Sequence, residues 1–300
     1  LVQQTEQFTM KPEQSIREAY VEASSFLSAH QVMEPESNSR LLLEWVLGLE
    51  GTAFYMAMFE PFPYDKQSLW QEVIMRKVSG EPAQYIIGEQ EFYGERFIVT
   101  PAVLIPRPET ELLVEAVVKI GQQLMEEQAD QSPFVCADIG TGSGAIALTI
   151  ARMCPTWQVY ASDISPDALA VAKQNSIQQQ TPILWREGNL LEPFAGQHID
   201  ILVSNPPYIP DADILALQPE VKDYEPMTAL AGGPDGLGPY RIMMAQLALL
   251  PTLPKVIGFE LGIGQAQDVA DMVRSAGYEH IEIVADLAGI ERHVIGIKER

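Results

Sequence analysis

About a quarter of the way along, the chain changes its rhythm of apolar and polar residues. From about Ser15 to Ser79 apolar residues recur at three- and four-residue steps, as Ile16, Tyr20, Ala23 and Phe26/Leu27 do. That spacing gathers them on one face of a helix. "SRLLLEWVLGLEG" predicts a second helix ending at Gly48 or Gly51, and "TAFYMAMFE" a third, stopped by Pro61 and Pro63. "DKQSLWQEVIMRKVSG" predicts a fourth, stopped by Gly80 and Pro82, since glycine and proline end helices. The expectation is a small helical bundle over residues 1–80. "YIIGEQEFYGERFIVT" then alternates and carries Gly88 and Gly94. It predicts a β-hairpin, set within a linker over 81–105 that joins two domains. The proline-punctuated "PAVLIPRPETELLVEAVVKI" runs into a helix near Glu109, with Glu109 or Thr110 close to its cap.

The second domain, 106–300, has a different pattern. From Phe134 onward "FVCAD", "WQVYASD", "ILWREG", "IDILVSN" and "KVIGFEL" read as strands, and "IEIVAD" and "RHVIGIK" as terminal ones. Between them "AIALTIARM", "PDALAVAKQNS", "GPYRIMMAQLALL" and "AQDVADMVRSAG" read as helices. Strand–helix alternation implies an α/β domain with a largely parallel, doubly wound sheet. The last two strands lack a helix between them, which implies one antiparallel partner. No internal repeat or low-complexity segment interrupts this plan.

Composition narrows the class. With 300 residues, 47% of them hydrophobic, the chain can bury a sizeable core. No apolar window is long enough to span a bilayer, and the polar start "LVQQTEQFTMKPEQ" lacks the regions of a signal peptide. The chain begins at Leu1, so Met10 is a candidate natural start. Cys136 and Cys154 stand in apolar surroundings without a CxxC partner, as small core residues in a reducing cytosol would. The four histidines are scattered, which argues against a metal site. The net charge of −22 is spread along the chain, with 13 acids against 6 bases over residues 1–90 and 28 against 13 over 91–300. That argues against a broad duplex-binding surface, which needs clustered Lys and Arg. It suits solubility first and a basic protein partner second.

Two motifs carry the candidate chemistry. In "FVCADIGTGSGAIAL" the glycines Gly140, Gly142 and Gly144 let the backbone take positive φ and approach a ligand closely. Such a turn at the carboxyl end of a strand is where open α/β sheets bind ligands. About 20 residues on, Asp163 ends the next strand, where an acid can accept from ribose hydroxyls. Gly140, Gly142 and Ala145 also satisfy the dinucleotide fingerprint GxGxxA, so a nicotinamide oxidoreductase stays a rival and a plain tight turn remains open. Asp138, two residues before the first glycine, is expected to place a carboxylate at the strand end. There it would repel a pyrophosphate and attract a sulfonium or amino group.

The second motif is "SNPPYIP", Ser204–Pro210, after the fourth strand of this half. Asn205 offers a side-chain carbonyl, Pro206 a backbone carbonyl without an N–H, and Pro207 fixes the turn. Tyr208 adds a flat π face with a polar tip. Two rigid acceptors and an aromatic plane suit a planar NH₂ group, with its lone pair turned towards a methyl donor. An amide nitrogen is a reluctant nucleophile: the roughly 18–20 kcal/mol barrier to amide rotation measures how strongly its lone pair is conjugated. Acceptors that favour developing positive charge on that nitrogen lower the barrier selectively, and in-line positioning contributes roughly 7–11 kcal/mol more. The bland alternative is a rigid strand exit with a core tyrosine.

On these residues the chain resembles the release factor glutamine methyltransferases (HemK/PrmC type). "RLLLEWVLG" and "GEPAQYIIGEQEFYG" are similar to that family's helical domain and linker, and "VLIPRPETE" to its interdomain loop. "DIGTGSGAIAL", "SNPPYIP", "YEPMTALAGGPDGLGPYR", "FELGIGQ" and "DLAGIERHV" follow in family order. The NPPY tetrapeptide alone is shared with adenine and RNA-guanine methyltransferases. The sister enzymes that modify a ribosomal-protein glutamine lack the PRPET loop.

The resemblance implies a class I S-adenosylmethionine-dependent methyltransferase fold, a mostly parallel seven-stranded sheet with one antiparallel strand, preceded by a helical bundle that docks the release factor. It implies methyl transfer from S-adenosylmethionine to the side-chain amide of the glutamine in the Gly-Gly-Gln motif of class I release factors, by a cytoplasmic monomer with no direct nucleic-acid or membrane partner. By the same resemblance Gly140, Thr141, Gly142, Ser143 and Gly144 line the methionine part of the cofactor and Asp163 holds the ribose. Asn189 and Leu190 flank the adenine, and Asn205, Pro206, Pro207 and Tyr208 hold the glutamine amide. Arg107, Glu109 and Thr110 close over the cofactor's amino-acid end. There are two departures: Asn189 stands where an acid is common, and "LPTLPKVIGFE" lacks a glycine turn before its strand. The rivals are an NPPY enzyme acting on DNA adenine, RNA guanine or a ribosomal-protein glutamine, the oxidoreductase, and a cofactor-binding scaffold without activity.

Overall fold

The computed structural model describes residues 7–126 and 133–298; the start at Leu1 lies outside them. The chain forms two compact units. The first runs to Gly88 and also takes in Gln218–Tyr224. Its helices are α1 (Ile16–Ala29), α2 (Pro35–Leu47), α3 (Gly51–Ala57), α4 (Gln67–Val78) and α5 (Ala83–Ile87). Ser15 caps α1: its side chain accepts from the Glu18 N–H while Glu18 accepts from the Ser15 N–H, which satisfies two otherwise orphaned donors. Gly48, at φ 69°, ends α2, as a left-handed cap does most cheaply in glycine. Leu27, Leu42, Leu43, Phe54, Trp70 and Val73 form the wholly buried centre. Of the residues that announce α1, Ile16 and Ala23 enter that core, while Tyr20 and Phe26 pack at its edge.

The stretch Gln218–Tyr224 contributes the short helix α9 (Pro219–Lys222). Lys77 on α4 is fully buried and its Nζ lies 2.7 Å from Glu220 Oε1. Burial lowers the lysine's pKa and the glutamate works against that, so the pair matters chiefly for the buried lysine, since Glu220 is partly exposed. Tyr224 adds a hydrogen bond from its hydroxyl to the Ser79 carbonyl, 3.1 Å.

The expected hairpin does not begin at Tyr85. Residues 83–87 form α5 instead, closed by Gly88 at φ 87°. The hairpin is β1 (Glu89–Phe92) and β2 (Glu95–Ile98), turning through Tyr93 and Gly94 at positive φ. It belongs to the second compact unit. Buried Asn175 ties it there by exchanging hydrogen bonds with the Ile98 N–H and carbonyl, 2.7 and 3.0 Å, and by donating to the Ser143 carbonyl, 2.9 Å.

In the second unit lie β3 (Val135–Ile139), β4 (Gln158–Asp163), β5 (Leu184–Glu187), β6 (Ile201–Ser204), β7 (Val256–Glu260), β8 (His280–Ala285) and β9 (Glu291–Ile297). They make one sheet in the order β5-β4-β3-β6-β7-β9-β8, parallel except for β9, which runs antiparallel to both neighbours. This is the sheet the alternation predicts. Every residue of β3, β6 and β7 is buried, as expected of parallel strands covered on both faces. Alternate side chains feed two cores. Cys136, Ile201 and Val203 join α6 (Glu109–Glu126) and α7 (Ala145–Met153) on one side. Ala137, Leu202 and Phe259 join α11 (Gly238–Gln246) and α12 (Ala266–Ser275) on the other. Among the described residues, the other α-helices of this unit are α8 (Pro166–Gln178) and α10 (Met227–Leu230). Among the described residues no helix is long and apolar enough to cross a membrane.

Candidate active site

The chain leaves β3 into α7 on one face and leaves β6 towards α11 on the other. Between two such strands a crevice opens at the carboxyl edge of the sheet. A cavity of about 440 Å³ lies there. Gly140, Thr141, Gly142 and Ser143 line it after β3, Asp163 after β4, Asn189 and Leu190 after β5, and Asn205 and Pro207 after β6. The predicted residues of four strand ends thus meet in one space.

The glycine loop is open towards that space. Gly140 and Gly142 have φ of 73° and 54°, and a Cβ on either would meet no atom within 4 Å. Gly144, at φ 84°, sits behind them as the N-cap of α7, and a Cβ there would press on Leu148 and Ala172 at 3.2 and 3.3 Å. The Ser162 carbonyl accepts from the Gly140 and Thr141 N–H groups, 2.8 and 2.9 Å. Asp163 accepts from Gly142 N and Ser165 N, both 2.9 Å; burial raises its pKa and these backbone donors oppose the rise.

Asp138 does not meet the expectation that its carboxylate faces the ligand. It is fully buried beneath the loop, where Oδ2 accepts from Thr141 Oγ1 at 2.6 Å and from Ala147 N at 3.2 Å. Burial pushes its pKa up to about 7. It fastens the loop to the start of α7, and the charge argument against a pyrophosphate loses its geometry. After β5, Leu190 takes φ of 52°, uncommon for a branched side chain and a mark of local constraint. The Asn189 amide lies 3.4 Å from Glu192 Oε1, so an acid stands one turn away from the position where one was expected.

After β6 the turn is held from behind. Pro206 is buried and, like Tyr208, stands outside the cavity lining. Tyr208's carbonyl accepts from Gln265 Nε2 at 2.9 Å. A Cβ on Gly236 would lie 2.2 Å from that carbonyl oxygen, and one on Gly262 would lie 3.1 Å from the tyrosine ring. Ile209 exchanges hydrogen bonds with Leu230 and Gly232, so the segment "LAGGPDG" splints the turn. Burial, helped by nearby Glu260, pushes the Tyr208 phenol up to about 12.

Of the PRPET residues, Pro106, Arg107 and Thr110 line the cavity and Glu109, the first residue of α6, does not. Arg107 Nη2 pairs with buried Glu225 at 2.5 Å. Thr110 Oγ1 donates to Glu260 Oε2 at 2.6 Å and accepts from Asn205 Nδ2 at 3.3 Å. Burial pushes Glu260 up to about 7. His293 lies 3.9 Å from it with its pKa lowered to about 4 by burial, and so is neutral at physiological pH. Glu225, Glu260, Gln265 and Gly236 carry no role in the sequence reading. They lie in quoted segments, "YEPMTALAGGPDGLGPYR" and "FELGIGQ", whose order was the only available signal.

A doubly wound sheet with this strand order and a glycine-loop cavity at its switch point defines a class I methyltransferase. The hMettl16 catalytic domain in complex with MAT2A 3'UTR hairpin 6 shares the fold, with a TM-score of 0.51 at 14% identity over 68% of this chain and 76% of that one. The PrmC N-terminal domain model matches residues 18–88, and the methyltransferase small domain model matches 112–217. The release factor glutamine methyltransferase of Bacillus anthracis is 39% identical over 282 residues, 93% of this chain and 98% of that relative. Those of Geobacter sulfurreducens and Bacillus subtilis are 40% and 36% identical over 86% and 94% of this chain, and 89% and 98% of their own lengths. The chain belongs to the release factor glutamine methyltransferase family.

Proposed function

We propose that this chain transfers a methyl group from S-adenosylmethionine to the side-chain amide nitrogen of the glutamine in the Gly-Gly-Gln motif of class I peptide chain release factors. The observation that carries the reading is the meeting of Asn205 and the glycine loop in one cavity. The cavity fits the cofactor: the two glycines that open onto it leave room for close approach, and the Asp163 carboxylate stands within it to accept from a ribose. When bound, the cofactor supplies an electrophilic methyl group on a sulfonium.

Gly140, Thr141, Gly142, Ser143 and Gly144 shape the seat for its methionine part, and Asn189 and Leu190 flank the adenine. The Asn205 side-chain oxygen and the Pro206 carbonyl accept the two amide hydrogens, while Pro207 and Tyr208 keep the turn and the amide plane fixed. These acceptors bind most strongly as the nitrogen becomes cationic, which is transition-state stabilisation. Tyr208 is half-buried and its phenol is pushed up to about 12, so it supports the turn and does not serve as a base. No strong base is required, because the proton leaves after the nitrogen has become acidic. Arg107, neutralised by Glu225, stands at the cavity wall to meet a carboxylate. The helical unit docks the release factor, and the enzyme acts as a cytoplasmic monomer without contacting nucleic acid, in keeping with the net charge of −22.

The test is incubation with methyl-labelled cofactor and either release factor or DNA. Label on the Gly-Gly-Gln peptide supports the reading; label confined to nucleic acid overturns it.

A further inference from the structure

The side-chain amide of Asn205 has two ends, and they are not equivalent chemically: Oδ1 accepts and Nδ2 donates. The proposed reaction needs the accepting end to face the substrate. Nothing within the turn itself decides this, since rotation by half a turn about the last side-chain bond exchanges the two ends at almost no cost in shape. The decision is made by residues far away in the chain. Thr110, on the first turn of α6, stands between Asn205 and Glu260, at the end of β7.

The Thr110 hydroxyl donates to Glu260 Oε2 over 2.6 Å, and Glu260 in its ionised form, which prevails above about pH 7, can only accept. Thr110 Oγ1 then has only lone pairs to offer Asn205, and Nδ2 occupies that place at 3.3 Å. The Asn205 side chain also acts to lower the Glu260 pKa, against the rise that burial causes. The threonine oxygen therefore demands a donor. With the amide turned over, Oδ1 would face an oxygen whose proton is already engaged, and a buried polar group without its partner is costly.

We propose that Thr110 and Glu260 are positioning residues that fix the orientation of the Asn205 amide, so that its oxygen is the end presented to the substrate. The inference rests on the reading of Asn205 as the group that holds the substrate amide. It gives Thr110 a duty different from closing over the cofactor, and gives a buried glutamate a purpose in a site whose substrate group is uncharged.

Three full-length variants test it. Thr110→Val keeps the shape and removes the hydroxyl, Thr110→Ser keeps the hydroxyl, and Glu260→Met removes the acceptor. With the release factor as substrate, Thr110→Val should lower kcat by roughly 10–100-fold, the scale on which small misplacements act, and Glu260→Met should follow it. Thr110→Ser should stay within about threefold of the unaltered chain, and calorimetry should find cofactor affinity unchanged in both Thr110 variants. The side-chain amide resonances of Asn205, assigned with Asn205→Ala, should move in Thr110→Val and stay in place in Thr110→Ser. Equal losses in the valine and serine variants, or Asn205 resonances unmoved in Thr110→Val, overturn the inference. The resonance measurement decides even if the unaltered chain fails to methylate the release factor, an outcome that sinks the proposed substrate instead. If Glu260→Met does not fold, the two threonine variants suffice.

Discussion

The glycine loop after β3 and the Asn-Pro-Pro-Tyr turn after β6 leave adjacent strands at the same edge of the sheet and meet in one cavity. They are made of opposite materials. The loop spends glycines at φ of 73°, 54° and 84° and leaves open space above two of them. The turn is stiff, short of donors, and backed by Gln265, Gly236 and the Thr110–Glu260 pair. The difference follows from what each would hold. A large cofactor needs backbone that can come close along its length. A single amide needs a few acceptors whose positions are settled before it arrives, since reorganising them during reaction would forfeit their effect.

If the labour is divided in this way, damage to the two loops should be separable. The largest effect is expected from Asn205→Ala: kcat should fall by about 10²–10³, as for loss of a preorganised polar group, while cofactor affinity by calorimetry stays within a few-fold. Equal losses in both would erase the division. Next comes Gly142→Val, which places a branched side chain at φ 54° and fills the space above the loop. The strain is about 1–2 kcal/mol; cofactor dissociation should rise by about tenfold or more, with kcat at saturation nearly kept. A fall in kcat at unchanged affinity would reverse the assignment.

Gly236→Ala sharpens the other side. Its Cβ would collide with the Tyr208 carbonyl at 2.2 Å, so urea unfolding should show a loss of about 1–3 kcal/mol, accompanied by a drop in kcat larger than any in cofactor affinity. An unshifted urea midpoint would mean that the splint is not rigid. The last prediction concerns Asp138, under the loop, where the effect on turnover should be the smallest. Its carboxyl titrates at about 7 in the folded protein against about 4 in an unfolded chain. The folded state therefore holds that proton more tightly, and the group's stabilising contribution is complete below about pH 4 and lost as the pH rises through 7. Asp138→Asn lacks this loss. Its stability relative to the unaltered chain should improve between pH 5 and pH 8, and a gap that does not change with pH would contradict the buried, pKa-raised carboxyl.

How much of this could be read from the residues depends on distance along the chain. The strands β3, β6 and β7 announce themselves as short apolar runs, and α1 through its periodic face, because those signals repeat every two to four residues. The residues of the cavity could be placed because each follows a strand whose end was visible. The short helix α5 escaped because "AQYII" is too brief to show a helical period and abuts alternating residues that do form a strand. Asp138 was misplaced for another reason: its place in the sequence gives the strand end but not the way the following loop folds over it. Thr110 and Glu260 are 150 residues apart, and no local spacing could pair them; the packing of α6 across β7 does that.

The buried pair of Lys77 and Glu220 has a consequence for anyone who wishes to take this molecule apart. One of the two compact units is assembled from two separate lengths of chain, so no single cut yields both pieces intact. A fragment beginning at Glu89 would carry Gln218–Tyr224 without Lys77 and Ser79, and one ending at Gly88 would strip Lys77 of Glu220 and leave Glu81 as its acidic neighbour. Dissection by truncation therefore reports on a broken ion pair as much as on a missing domain. A circular permutation, or a graft that carries Gln218–Tyr224 along with the helices, is the cleaner scissors.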